Sequence, residues 1–197
     1  MVRFPVSLLI ICIFSLQWVS AQDGFRPFSE IGVRTSAVSS TAYISLDDEG
    51  SNFRGPSLGV RYLHMQTKNM GLLAEVNYSR LFFDSNDTEY DYSYIHTPFM
   101  TRFRFPFGSR NDLAINVGSY LQMVLGNHSD VIFDRRTLFG LAGGIDYGLM
   151  LGKLRISVEG RYHYNLHSNS DDADNIRSSW LEISLGICFR KLGKVVE

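Results

Sequence analysis

The 197-residue chain is poor in the features that mark disulfide-stapled, helical-membrane or nucleic-acid-binding proteins. It has two cysteines, Cys12 and Cys188. Cys12 lies in an opening segment expected to be removed, so Cys188 remains alone and no internal disulfide is available. Alone in the last strand, Cys188 reads as a small filler side chain. No segment after the opening one approaches 18 consecutive apolar residues, which excludes a helical membrane span. The net charge is −1, and loss of Arg3 takes it near −2, so nucleic acid is not an expected partner. Lysine is the scarcest charged residue, with only Lys68, Lys153, Lys191 and Lys194.

The opening segment, MVRFPVSLLIICIFSLQWVSAQ, has a basic start at Arg3 and a short apolar run from Val6 to Phe14. Val19-Ser20-Ala21 supplies small residues before a cleavage point. Residues 1–21 are therefore expected to be a cleaved signal peptide, and 22–197 a single exported domain. Cys12 follows Ile10 and Ile11, where a lipid-attachment cysteine would need small residues.

That domain alternates. In LRISVEGRYHYNL (154–166), Leu154, Ile156, Val158, Gly160, Tyr162, Tyr164 and Leu166 share one parity. Arg155, Ser157, Glu159, Arg161, His163 and Asn165 share the other. Period two means a strand with chemically opposite faces. Eight such segments are expected, at about 28–38, 55–65, 71–83, 91–105, 112–124, 138–150, 153–166 and 178–190. Most are longer than the usual globular strand and long enough to cross a bilayer at a tilt. Their connections alternate in length. Gln66 to Met70, Pro106 to Asn111 and Leu151-Gly152 are short. SLDDEGSN (45–52), DSNDTEY (84–90), GNHSDVIFDRR (126–136) and HSNSDDADN (167–175) are longer and polar. Short turns at one end and long loops at the other predict an eight-stranded, antiparallel, up-and-down transmembrane β-barrel. Both termini would lie at the short-turn, periplasmic end.

Lysine placement decides which face looks inward. A solvent-washed strand face should carry lysines, yet none of the four sits within one. The polar parity carries Arg34, Arg61, Arg102, Arg104, Arg155 and Arg161 against Glu30, Glu75, Asp146, Glu159 and Glu182. Arginine's planar fork suits enclosed pairing better than lysine's hydrated point charge. Asn77, Asn116, Gln122, His96 and His163 join the same parity. These residues are expected to fill the barrel as a packed polar interior, leaving no open pore. The opposite parity is apolar: Leu58, Val60 and Tyr62; Ala74, Val76 and Tyr78; Leu113, Ile115, Val117 and Leu121; Leu181, Ile183, Leu185, Ile187 and Phe189. Aromatics gather toward the long loops (Tyr78, Phe82, Phe83, Tyr90, Tyr92) and toward the short turns (Phe103, Phe105, Phe107), as interface girdles do. Arg80 has lipid-facing parity and belongs near the loop-side interface or beside a bulge.

From GVRTS (32–36) to SLGICFR (184–190), the chain resembles the PorT-like outer-membrane β-barrel family of Bacteroidetes-type bacteria. YIHTPFMTRFRF (94–105) and GLAGGIDYGLMLGKLRISVEGRYHYNL (140–166) carry the resemblance. It implies an outer-membrane barrel and, for some members, a part in protein secretion through the type IX system. It implies no catalytic residues. The chain continues past Phe189 with RKLGKVVE, which departs from barrels that end on an aromatic.

Other candidate sites are weaker. GLAGGIDYG (140–148) has the wrong spacing for a dinucleotide loop, and Gly140, Gly144 and Gly148 instead make room for long interior neighbours. His128-Ser129 and His167-Ser168 are the nearest His/Ser pairs, but adjacent strand residues face apart. Asp47, Asp48, Glu49, Asp84, Asp87, Glu89, Asp171, Asp172 and Asp174 form acidic loops without a calcium-loop pattern. Asn77, Asn86 and Asn127 begin chance glycosylation sequons.

The expected function is a non-enzymatic membrane anchor needing no cofactor and no metal. Its partners would be outer-membrane lipid or lipopolysaccharide and envelope or secretion proteins. These proteins would dock on the loops or on a periplasmic basic rim of Lys68, Arg110, Lys153, Lys191 and Lys194. The rival readings are a lipid-A-modifying enzyme and a soluble lipid-carrying barrel.

Overall fold

The computed structural model describes residues 25–42, 51–85, 88–127, 137–166 and 179–192. The strands are β1 (Phe28–Ala42), β2 (Ser51–Met65), β3 (Met70–Ser85), β4 (Thr88–Phe107), β5 (Asn111–Asn127), β6 (Thr137–Leu151), β7 (Leu154–Asn165) and β8 (Ser179–Leu192). Each pairs antiparallel with its sequence neighbour, and β1 pairs with β8, closing the barrel. Closure leaves no sheet edge, so every strand can satisfy its backbone within the sheet, the condition for spanning lipid.

Alternation builds these strands and tight turns join them. Gly152 takes a φ of 65° in the Gly152-Lys153 turn, and Gly108 takes 66° after β4, a backbone state that costs glycine little. Between β2 and β3, the Thr67 hydroxyl accepts from the Met70 amide at 2.9 Å. At the opposite end the strands run further than the alternation suggests. Asp84 and Ser85 belong to β3, and Thr88 to Tyr90 to β4, so most of DSNDTEY is strand. Polar side chains blur the period there, while the backbone ladder continues beyond the apolar belt. A one-residue register shift between Ser93 and Tyr94 disturbs the β4–β5 ladder.

The outside is apolar all round. Leu58, Phe99 and Ile183 are 63%, 66% and 58% exposed, among more than thirty large exposed hydrophobics. In water such a surface would be an aggregation liability; in a bilayer it is the lipid-facing band of a transmembrane barrel. Phe103, Phe105, Phe107 and Tyr78 are exposed. Phe82 is half-buried, and the side chains of Phe83, Tyr90 and Tyr92 fall outside the described residues. Arg80 faces outward near the loop end, its guanidinium 5.0 Å above the Phe82 ring.

The interior is less uniformly polar than parity alone suggests. Leu63, Met65, Leu73, Leu81, Met100 and Leu138 also point inward and are buried. They fill space between polar groups, because parity assigns a face but not what that face must pack against. Cys188 is buried and free, and it lies against Gly32, where an added Cβ would fall 2.7 Å from the Cys188 Sγ.

Candidate functional site: the barrel interior and its rims

Alternate residues of all eight strands deliver charge to the barrel axis. Glu30, Arg34, Arg61, Glu75, Arg102, Asp146, Arg155, Glu159, Arg161 and Glu182 are buried, and Arg104 is half-buried. Toward the short turns they are knitted together. Glu75 accepts from Arg34 Nη1 at 2.5 Å, Arg61 Nε at 2.8 Å and Arg161 Nη1 at 2.7 Å. Glu159 accepts from Arg161 Nε at 3.0 Å, Asn116 Nδ2 at 2.8 Å and Arg61 Nη2. Asp146 accepts from Arg102 Nη2 at 2.9 Å, Arg61 Nη1 at 3.1 Å and Arg155 Nη2. Each carboxylate thus meets two or more guanidinium groups, the arrangement that offsets desolvation of a buried charge.

Two members of this network carry signals that the arginine–carboxylate pattern leaves out. Asp112 is fully buried and accepts from Arg155 Nη2 at 2.7 Å, Arg104 Nε at 3.1 Å and Arg102 Nη2 at 3.3 Å. Its parity with Asn116 marks it as inward, but it sits beside a turn and reads as turn chemistry. Arg190 holds Glu30 through Nε at 2.8 Å and Nη2 at 2.6 Å, and its guanidinium lies 3.9 Å over the Phe28 ring. Interior glycines accommodate their neighbours. A Cβ at Gly148 would meet Arg155 Nη2 at 2.1 Å, one at Gly140 the Tyr120 hydroxyl at 2.2 Å, and one at Gly144 the Arg161 Cβ at 3.1 Å.

Toward the long loops the interior changes character. His163 stacks on Trp180 at 4.6 Å, with 9° between the planes. Tyr120 meets Trp180 edge-on at 5.1 Å, and His96 meets His163 edge-on at 5.4 Å. The Tyr120 hydroxyl donates to Asn165 Oδ1 at 2.5 Å. Asn77 Nδ2 lies 3.3 Å from His96 Nε2, so this sequon asparagine is an interior residue. Glu182 joins the two storeys: it contacts His163 Nε2 at 3.0 Å, accepts from Ser36 Oγ at 2.5 Å and pairs with Arg34 Nη2 at 3.2 Å.

His96, His163 and Glu182 offer ligand atoms within 4.8 Å of one another, the one such trio among the described residues. Its surroundings oppose a divalent cation. Glu182 is already shared by a guanidinium, a hydroxyl and an imidazole. The inward charges described are seven arginines (34, 61, 102, 104, 155, 161, 190) against six carboxylates (30, 75, 112, 146, 159, 182), so an ion would add positive charge to a positive interior. Nor is the trio with Ser36 a catalytic triad: the hydroxyl donates to the acid instead of the imidazole, and all four side chains are buried away from lipid.

One His/Ser pair does face outward. Ser29 and His64 are cross-strand partners in the β1–β2 register. Ser29 Oγ lies 3.0 Å from His64 Nδ1 and 3.2 Å from the Tyr62 hydroxyl. Adjacent-residue patterns miss such a pair, which only strand register brings together. No carboxylate completes it among the described contacts. His128-Ser129 and His167-Ser168 lie outside the described residues. So do Asp47, Asp48, Glu49, Asp87, Asp171, Asp172 and Asp174; Asp84 and Glu89 face each other in the β3–β4 register.

At the short-turn rim, Lys68, Arg110 and Lys153 stand exposed in turns and Lys191 at the end of β8. Arg26, just before β1, is exposed at the same end. Lys194 lies outside the described residues.

No protein-family model matches the chain, and no curated protein matches it. Solved structures do. The outer membrane protein OprG from Pseudomonas aeruginosa matches with a TM-score of 0.54 at 12% identity, over 85% of this chain and 97% of its own. Ail, the attachment invasion locus protein of Yersinia pestis, matches with a TM-score of 0.51 at 18% identity, over 85% of this chain and 100% of its own. At these identities the likeness is one of architecture: this chain has the eight-stranded barrel fold that those outer-membrane proteins share.

Proposed function

We propose that the chain is a non-enzymatic barrel of a bacterial outer membrane, with a sealed interior, serving as an anchor on which envelope or secretion proteins dock. One observation carries this reading. The axis of the barrel is occupied by mutually paired arginines and carboxylates, which leaves binding to the rims. An eight-stranded barrel has room for such side chains and little else. The docking surface in this reading is the short-turn rim, where Lys68, Arg110, Lys153 and Lys191 stand exposed, facing the periplasm; Lys194, outside the described residues, is expected to join it. Residues 1–21 act as the export signal in this reading. The resemblance of YIHTPFMTRFRF (94–105) to PorT-like barrels favours a secretion complex of the type IX kind as the setting in this reading.

The test is a gentle detergent pull-down from the native outer membrane, with boiled and unboiled samples run side by side. A heat-shifted band accompanied by stoichiometric envelope proteins is expected, and Lys68→Gln/Lys153→Gln should lose those proteins while keeping the heat shift. A heat-shifted band without companions would contradict the docking role, and a soluble protein would contradict the placement.

The Ser29–His64 pair favours a second reading, a lipid-modifying enzyme acting at the short-turn edge. Among the described residues no carboxylate contacts the pair to orient the imidazole. Mass spectra of membrane lipids should therefore be the same for wild-type and Ser29→Ala cells; a lipid species that disappears with the hydroxyl would reverse the assignment.

A further inference from the structure

Two of the inward arginines differ from the rest. Arg104 and Arg190 stand at the short-turn mouth and share the Phe28 ring, their guanidinium carbons 5.7 Å and 3.9 Å from its centroid. Phe28 is buried and backed by Phe25 at 6.1 Å, so the pair rests on an apolar floor. Arg104 uses only Nε, on Asp112, and Arg190 uses Nε and Nη2, on Glu30. Both terminal nitrogens of Arg104 and Nη1 of Arg190 remain for another acceptor. The two side chains are 13% and 16% exposed, while those of the other inward arginines are at most 3% exposed.

Around that mouth the exposed charge has one sign. Among the described residues, Arg26, Lys68, Arg110, Lys153 and Lys191 are exposed at this end, and the two carboxylates nearest it, Glu30 and Asp112, are buried. None of the five bases makes an ion pair among the described residues. Backbone bonds fasten the turns that carry them to the two arginines. The Arg190 amide donates to the Lys153 carbonyl at 2.8 Å, and the Arg104 amide to that of Asn69, beside Lys68, at 2.8 Å. Like charges gathered in one ring raise the local potential and draw an anion.

Position decides which anion. Lipid headgroups pack against the outside of the wall, which at this level presents Tyr62, Phe103, Phe105, Phe107 and Tyr147. Arg104 and Arg190 have the opposite parity and face the lumen, where a chain can approach along the axis. Their planar forks suit carboxylates, each able to accept two hydrogen bonds. We propose that the short-turn mouth receives an acidic peptide segment of a periplasmic partner, its carboxylates held by Arg104 and Arg190 and drawn in by the ring of exposed bases. This inference rests on the docking reading above and names the chemistry of the partner.

Fluorescence anisotropy of the detergent-purified full chain tests it, with labelled octaglutamate as the probe and octaglutamine as its neutral match. Octaglutamate should bind about ten-fold more tightly, the worth of one charge-assisted contact, and added salt should weaken it by screening. Arg104→Gln should remove most of that preference, while Asp112 keeps Arg155 and Arg102. Arg104→Lys, which keeps the charge and loses the fork, should fall between. Lys68→Gln/Lys153→Gln should weaken binding less than Arg104→Gln and flatten its salt dependence. The heat-shifted band on unboiled gels confirms that each variant folds; if Arg104→Gln fails to fold, the turn double variant and the wild-type preference still decide. Equal binding of octaglutamine, or wild-type affinity in Arg104→Gln, would overturn the site. Dihexanoyl phosphatidylglycerol displacing octaglutamate at equal concentration would give the mouth to lipid and overturn the peptide assignment. The native pull-down separates this from the wider reading. Companion proteins that stay with Arg104→Gln would overturn this site and leave docking intact. Wild type without companions would defeat the docking reading, and the partner with it, even where the purified chain binds octaglutamate.

Discussion

The two storeys of the barrel interior handle burial differently. Toward the short turns, Glu75, Asp112, Asp146 and Glu159 are each gripped by two or more guanidinium groups or their amide neighbours. Toward the long loops, aromatic rings pack on one another; among the described residues His96 Nδ1, His163 Nδ1 and Trp180 Nε1 have no hydrogen-bond partner there, as Arg102 Nε and Glu30 Oε2 have none in the charged storey. The lower storey is held by reciprocal charge and tolerates no missing member. The upper storey is held by ring packing around Trp180, with fewer ionic contacts to lose. Stability should accordingly be concentrated in the lower storey, and adaptability in the upper one.

Substitutions can break that comparison. The largest effect is expected at Glu75→Ala, which takes one carboxylate from Arg34, Arg61 and Arg161 at once. Losing one partner of a buried ion pair costs about 3–5 kcal/mol, read as a lower midpoint in urea unfolding from detergent. Removing a polar partner from the upper storey should cost less. In His163→Phe the ring contact with Trp180 is retained, while Glu182 keeps Ser36 and Arg34. The lost bond to a charged group is worth about 1.5–3 kcal/mol. Ser79→Ala removes a neutral bond to Ser57 at 2.8 Å, for about 0.5–1.5 kcal/mol. Lys153→Gln, exposed in its turn, should stay within about 0.5 kcal/mol of wild type. If His163→Phe proved as costly as Glu75→Ala, the division between storeys would fail.

How far this arrangement is legible in the sequence follows from what parity can say. Alternation with arginine on one face and no lysine marks Arg61, Glu75, Asp146, Glu159 and Arg161 as enclosed, because each face of a strand reads at period two. Parity does not say at what height two inward residues meet across the barrel. That is why the contact of Arg161 with Glu75, 86 residues apart, and the aromatic cap around Trp180 appear only in three dimensions. Asp112 was within reach, since it shares the parity of Asn116, but its place beside a turn hides it. Strand ends were the least legible: β4 reaches 20 residues because the ladder continues after the hydrophobic pattern has stopped. The outward pair Ser29–His64 depends on register between strands, which no single strand's sequence contains.

The most direct test of the sealed, charge-knit interior is Glu159→Ala, measured for unfolding stability in detergent and for ion conductance in a planar bilayer, beside wild type. Glu159 ties Arg161, Arg61 and Asn116 together at the axis. The account predicts that wild type carries no steady current and that the variant is clearly destabilised whether or not current appears. A variant that conducts ions while keeping wild-type stability would contradict it, because the carboxylate would then be a plug that the structure does not depend on.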